Sequence, residues 1–134
     1  MALMDKLLGS TNSLEKGLDA YWLRNQVIAN NIANYETPGF KTSRVEFEEE
    51  FKSALESGGA FETKTTRSKH IKFSTPDFSA KVLANPDYST RLDGNNVDIE
   101  YEMNEQAKNN IAYNVAVQKL NKQLGRIKLA ITGR

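Results

Sequence analysis

Ala29-Asn30-Asn31-Ile32-Ala33-Asn34-Tyr35-Glu36-Thr37-Pro38-Gly39-Phe40-Lys41 is the stretch on which the fold turns. Its first half ends a long amphipathic helix; its second half reverses the chain and delivers an aromatic residue to the next segment. Proline presets φ for the second position of a type I or II turn, and glycine supplies the positive φ that type II requires at the third. Asn34 is the residue expected to close the helix in a left-handed conformation, a role asparagine takes where glycine is absent. Ahead of the turn, small alanines permit close helix approach, and each asparagine offers both donors and acceptors. A Thr37-Pro38-Gly39 turn alone need only redirect the chain; the whole run says more.

Working backwards, residues 1–35 read as helix. Met4, Leu7, Leu14, Leu18, Tyr21, Ile28 and Ile32 recur at steps of three and four once Thr11 and Asn25 are included, a heptad-like stripe. Gly9-Ser10-Thr11-Asn12 is a candidate interruption, with Ser13 capping a second segment. Trp22 and Leu23 lie off the stripe and widen the apolar surface. That suits a helix with several neighbours as well as one in an ordinary bundle.

Working forwards, Val45, Phe47 and Phe51 sit among Glu46, Glu48, Glu49 and Glu50. Consecutive carboxylates on a helix point in different directions and no histidine is near, so the run reads as a solvated face rather than a metal or acid–base site. Phe47 and Phe51 read as core anchors. Residues 53–90 are the least regular part: Ser57-Gly58-Gly59-Ala60 breaks a helix, and Thr63–Lys69 is polar without periodicity. His70-Ile71-Lys72-Phe73 alternates like a short strand, and two further short pieces lie around Val82-Leu83 and Tyr88–Arg91. His70, the only histidine, lacks catalytic partners in the sequence and reads as structural or surface.

Leu92-Asp93-Gly94-Asn95-Asn96-Val97-Asp98-Ile99-Glu100 is the second informative stretch. A calcium loop ending on Glu100 would place Arg91 at a ligand position, where it repels the ion, so that reading fails. An Asp-Gly turn leading into Asp98 as a helix N-cap remains. From Ile99 a helix is predicted almost to the end. Met103, Tyr113, Val117, Leu120, Leu124, Ile127 and Ile131 continue one seam, with Gln106 and Asn110 completing the repeat. Glu100, Glu102 and Glu105 near its start, and Lys119, Lys122, Arg126 and Lys128 near its end, match the helix dipole.

The expected fold is therefore mainly α: long N- and C-terminal helices paired as an antiparallel coiled coil, with a small irregular, short-β middle segment. Residues 1–134 form one elongated unit in this reading, divided into 1–35, 36–97 and 98–132. Buried amides at Asn25, Gln106 and Asn110 would fix the register of the pair. One such pair cannot also cover Trp22, Leu23, Ala29, Ala33, Ala112 and Ala116, which implies a partner. Composition agrees: 134 residues at 39% hydrophobic, with mean hydropathy −0.59, suit an elongated or assembly-dependent structure better than one thick core. A net charge of +1 gives no drive towards nucleic acid, and the absence of cysteine removes disulfides and thiolate chemistry. No stretch reads as a signal peptide or a membrane span.

The run Asn30-Asn31-Ile32-Ala33-Asn34 with Thr37-Pro38-Gly39-Phe40 resembles the N-terminal signature of bacterial flagellar rod and hook proteins, the axial family. The likeness extends over nearly the whole chain, through Ser68-Lys69-His70-Ile71 and Asp93-Gly94-Asn95-Asn96-Val97-Asp98. The last of these favours a short proximal-rod type. Phe40 stands where many relatives have tyrosine. The resemblance implies a structural subunit of the proximal rod of the flagellar basal body, exported from the cytoplasm without a cleaved signal. Its terminal helices would build a tube that transmits torque and surrounds the export channel. Implied partners are copies of itself, other rod proteins, a FliE-type adaptor, the MS ring and the export gate. Asn30, Asn31, Ile32, Asn34, Thr37, Pro38, Gly39, Phe40, Asp93, Gly94, Asn95 and Asn96 would then be assembly elements. Asn31→Leu or Pro38→Ala is accordingly expected to impair assembly more than stability.

No enzyme motif is present: there is no nucleophile elbow, phosphate loop or zinc-protease helix, and no cofactor or metal is expected. The alternative of another class is a cytosolic helical adaptor or export chaperone, which would be a stable oligomer that stays in the cytoplasm.

Overall fold

The computed structural model describes residues 2–56, 80–84, 89 and 91–133, with the backbone alone for 2–10. The elements in chain order are α1 (Ala2–Ala33), β1 (Ser43–Glu46), α2 (Glu48–Glu56), β2 (Lys81–Ala84) and α3 (Ile99–Thr132). The predicted helix break at Ser57–Ala60, the polar run after it, the strand at His70–Phe73 and the piece at Tyr88 lie outside the described residues, as do the side chains of Met4 and Leu7.

Two long helices dominate, as the heptad patterns predict. They lie side by side and antiparallel: Asn109 meets α1 at Tyr21, Gln106 at Asn25 and Glu102 at Asn31, so positions fall on α3 as they rise on α1. The candidate interruption at Gly9–Asn12 does not occur, and α1 runs unbroken. One glycine in a helix costs only about 1 kcal/mol, which a long helix tolerates. Asp98 caps α3 as expected, its Oδ1 accepting from the backbone N–H groups of Glu100 and Tyr101 at 3.0 and 3.2 Å. Gly133, at φ 66°, closes the other end by donating to the Leu129 carbonyl.

The second side of α1 carries the middle of the chain. β1 and β2 pair antiparallel, Ser43 opposite Ala84 and Glu46 opposite Lys81. Ala20, Val45, Phe47 and Ala54 form a small core, with Tyr21, Leu23, Val27 and Phe51 packed against it. Phe47 and Phe51 are thus apolar anchors, and the glutamates beside them are exposed. Arg24 ties this layer together: it donates to the Val45 carbonyl, stacks over the Phe47 ring at 4.5 Å and pairs with Glu48. Its hydrogen bond holds the Glu48 carboxyl below the usual carboxylate range.

Gly17 shows how close the packing is. A Cβ there would collide with two ring carbons of Phe51, reaching within 2.6 Å of Cζ. That ring makes edge contacts with Tyr21 and lies against Phe47, so its retreat is blocked. Gly17→Ala gains about 1 kcal/mol of helix propensity but overpacks at a cost of about 1–3 kcal/mol. A net loss of about 1 kcal/mol is expected in thermal unfolding. A gain in stability would show that Phe51 moves aside freely.

Candidate functional site

The two informative stretches of the sequence dock on each other. Thr37-Pro38-Gly39-Phe40 forms the expected turn, with Gly39 at φ 73° and the Phe40 N–H donating to the Thr37 carbonyl at 3.3 Å. Arg91-Leu92-Asp93-Gly94 forms the second turn, with Gly94 at φ 80°. The glycines meet: a Cβ on Gly94 would lie 3.5 Å from Gly39 Cα, and the Gly39 N–H donates to the Asp93 carbonyl at 2.9 Å. Both turns hold glycine at positive φ, a region that residues with a side chain rarely adopt.

Asn95 is the centre of the clasp. It is 0% exposed, and its Nδ2 lies 2.9, 2.9 and 2.8 Å from the carbonyls of Asn34, Tyr35 and Thr37. Two N–H bonds are thereby shared among three acceptors in the turn that ends α1, while its Oδ1 accepts from the Val97 N–H at 2.7 Å. Next to it, the Asn96 Oδ1 accepts from the Thr42 N–H at 2.7 Å and its own N–H donates to the Phe40 carbonyl. Arg91 closes the rim, stacking over Tyr35, donating to the Tyr35 carbonyl and pairing with Asp93.

Asn31 performs a related task. At 1% exposure, it donates to the Ser43 carbonyl at 2.8 Å and accepts from the Ser43 N–H at 3.1 Å. A carboxamide carries the same donor and acceptor as a peptide group, so Asn31 stands in for a third strand along the free edge of β1. Asn31→Leu removes these bonds within a single chain, so it is expected to lower stability as well as to impair assembly. Pro38 is exposed on the turn.

Asn34 departs from the sequence reading. Among the described residues only glycines have positive φ, so Asn34 is not left-handed. Its side chain folds back on Asn30 instead, donating to the Asn30 carbonyl and Oδ1, while its backbone N–H reaches the carbonyls of Asn30 and Asn31. Asn30, Thr37, Pro38, Gly39 and Asp93 are exposed on this clasp; Ile32, Asn34, Phe40 and Gly94 are half-buried, and Asn96 is buried.

The predicted seam residues divide between the two helices. On α1, Leu14 and Ile28 are buried, and Leu18, Tyr21, Asn25 and Ile32 are half-buried. On α3 the contact line is shifted by one position from the heptad reading. Glu102, Asn109 and Ala116 are buried, while Met103, Asn110, Tyr113, Leu124 and Ile131 are exposed and Val117, Leu120 and Ile127 half-buried. The cause is polar: the clasp fixes the rotation of α3, and Asn109 Nδ2 reaches the Tyr21 carbonyl at 2.9 Å. A search for apolar periodicity ranks Glu102 and Asn109 as surface, and so misses both.

A family model for flagella basal body rod protein matches residues 15–41, covering the end of α1 and the turn. The chain is 33% identical to the flagellar basal body rod protein FlgB of Bacillus subtilis over 97% of its own length and 98% of that protein. The chain belongs to the FlgB family of flagellar basal body rod proteins. FlgB proteins of Proteus mirabilis and Escherichia coli K12 are 30% and 29% identical, each over 91% of this chain and 93% and 92% of their own lengths. As an FlgB-family chain it is a component of the flagellar basal body rod, assembled with other rod proteins. No helix among the described residues is long and apolar enough to cross a membrane.

Proposed function

We propose that the chain is a proximal-rod subunit acting mechanically, with no catalytic role. Its terminal helices pack into a tube that transmits torque and leaves a central export channel. The chain reaches that place from the cytoplasm through the flagellar export gate without a cleaved signal. Its neighbours there are copies of itself, other rod proteins, a FliE-type adaptor and the MS ring. The observation that supports this reading is the apolar surface the single chain leaves uncovered. Met103, Tyr113, Leu124 and Ile131 line one exposed side of α3, and Trp22 is 58% exposed on α1. Surface of this kind on long helices is normally covered by a partner. In this arrangement the clasp keeps the ends of α1 and α3 in register, and the apolar side makes the contacts between subunits.

Deletion of the gene in its native bacterium tests the reading. A non-motile strain without rods or hooks, rescued by the full-length gene, is the expected result. Normal hooks in the deletion strain would remove the rod role and favour a cytosolic adaptor.

A further inference from the structure

Glu102 is a carboxylate in the wrong place for a plain helix pair. It is 6% exposed, on the line where α3 meets α1, and the Asn31 side chain hydrogen-bonds it. Asn31 in turn holds Ser43 of β1, so one short chain of polar contacts joins three elements at this point. Among the described residues the charged groups that act on Glu102 are Asp98 and Glu105 of its own segment, both acidic; from α1 it meets the neutral Asn31, which in turn holds Ser43 of β1. Lys108, a cation six residues on, is paired with Glu105 at 2.6 Å.

We propose that Glu102 is a pH-sensitive lock on the helix pair, holding α1 and α3 more tightly when its carboxyl is neutral. The lock is a property of the single chain and does not rest on the rod reading. Burial, and then the negative charges of Glu105 and Asp98, raise the Glu102 pKa above the usual carboxylate value, against the lowering effect of Asn31. Linkage sets the sign. A carboxyl whose folded pKa lies above its unfolded value contributes stability that is complete below the unfolded value, about 4.3 for glutamate. That contribution is lost as pH rises through the folded value. A single proton changes the folded-to-unfolded ratio by at most about tenfold per pH unit across that window. The Arg24–Glu48 pair has the opposite sign, losing stability as pH falls through the depressed Glu48 value.

The test is denaturant unfolding of the full chain and of Glu102→Gln from pH 4.5 to 8. Glutamine keeps the shape and the contact with Asn31 but carries no proton to lose. The variant is expected to be the more stable at pH 8, by up to about tenfold in the folded-to-unfolded ratio for each unit of the window. The advantage should vanish near pH 4.5. Parallel pH profiles, or a variant less stable at pH 8, would overturn the lock. Carbon NMR of the Glu102 carboxyl in the unaltered protein decides the matter if the variant does not fold. A titration midpoint above the ordinary glutamate range supports the lock; one within or below that range overturns it.

Discussion

Asn95→Ala is expected to cost the isolated chain about 3 kcal/mol, because it leaves several buried backbone groups without partners. The carbonyls of Asn34, Tyr35 and Thr37 lose their shared donor, and the Val97 N–H loses its acceptor. Water has no easy access, since the side chain being removed is wholly enclosed. Urea unfolding followed by helical circular dichroism measures the effect. Asn95→Asp separates hydrogen bonding from volume. It fits the same space and still accepts from Val97, but when ionised it sets a negative oxygen against three carbonyl oxygens and offers no donor. At neutral pH it should be at least as damaging as alanine, with partial recovery in acid as the carboxyl gains a proton. An aspartate variant as stable as the unaltered protein at pH 7 would mean that the clasp contributes shape alone.

The clasp also shows what could be read from the residues beforehand and what could not. Both turns and the start of α3 were legible, because proline and glycine act through their own backbone and aspartate through a local side-chain cap: Gly39 has the φ that Thr37-Pro38-Gly39 demands, and Asp98 caps α3. The long helices were legible from period. The docking of the two stretches was not, because it is a contact over 58 to 61 residues of sequence separation, made by amide groups whose partners are main-chain atoms. Main-chain partners leave no mark in side-chain periodicity. The same blindness explains the shifted seam. Met103 and Leu124 looked like core because they are apolar at the right step; Glu102 and Asn109 won the contact because α1 supplied an amide and a carbonyl to meet them. Asn34 closes the helix without a left-handed φ, its N–H reaching the Asn30 and Asn31 carbonyls and its side chain turning back on Asn30.

Two kinds of position therefore separate. Asn31 and Asn95, which looked like assembly contacts, face inwards and hold the subunit together. Of the apolar residues that looked like an internal seam on α3, Met103, Tyr113, Leu124 and Ile131 face outwards, and they are where the effect on assembly should be largest. Leu124→Glu combined with Ile131→Glu is expected to leave unfolding of the isolated chain within about 0.5 kcal/mol of the original, since Ile131 is largely, and Leu124 about half, in water already. Carried on the chromosome, the same pair should abolish motility and hook formation. On the proposed packing each glutamate would be a charge enclosed without a counterion, at several kcal/mol per subunit, and every copy in the assembly would repeat the penalty. Leu124→Met with Ile131→Val keeps the face apolar and should leave swimming nearly normal. Motility counts, hook protein in the medium and the unfolding curve of the purified variant together decide the outcome. A charged variant that folds normally and swims normally would show that this side of α3 faces solvent in the rod. A charged variant that fails to fold would show that α3 already uses this face within the subunit.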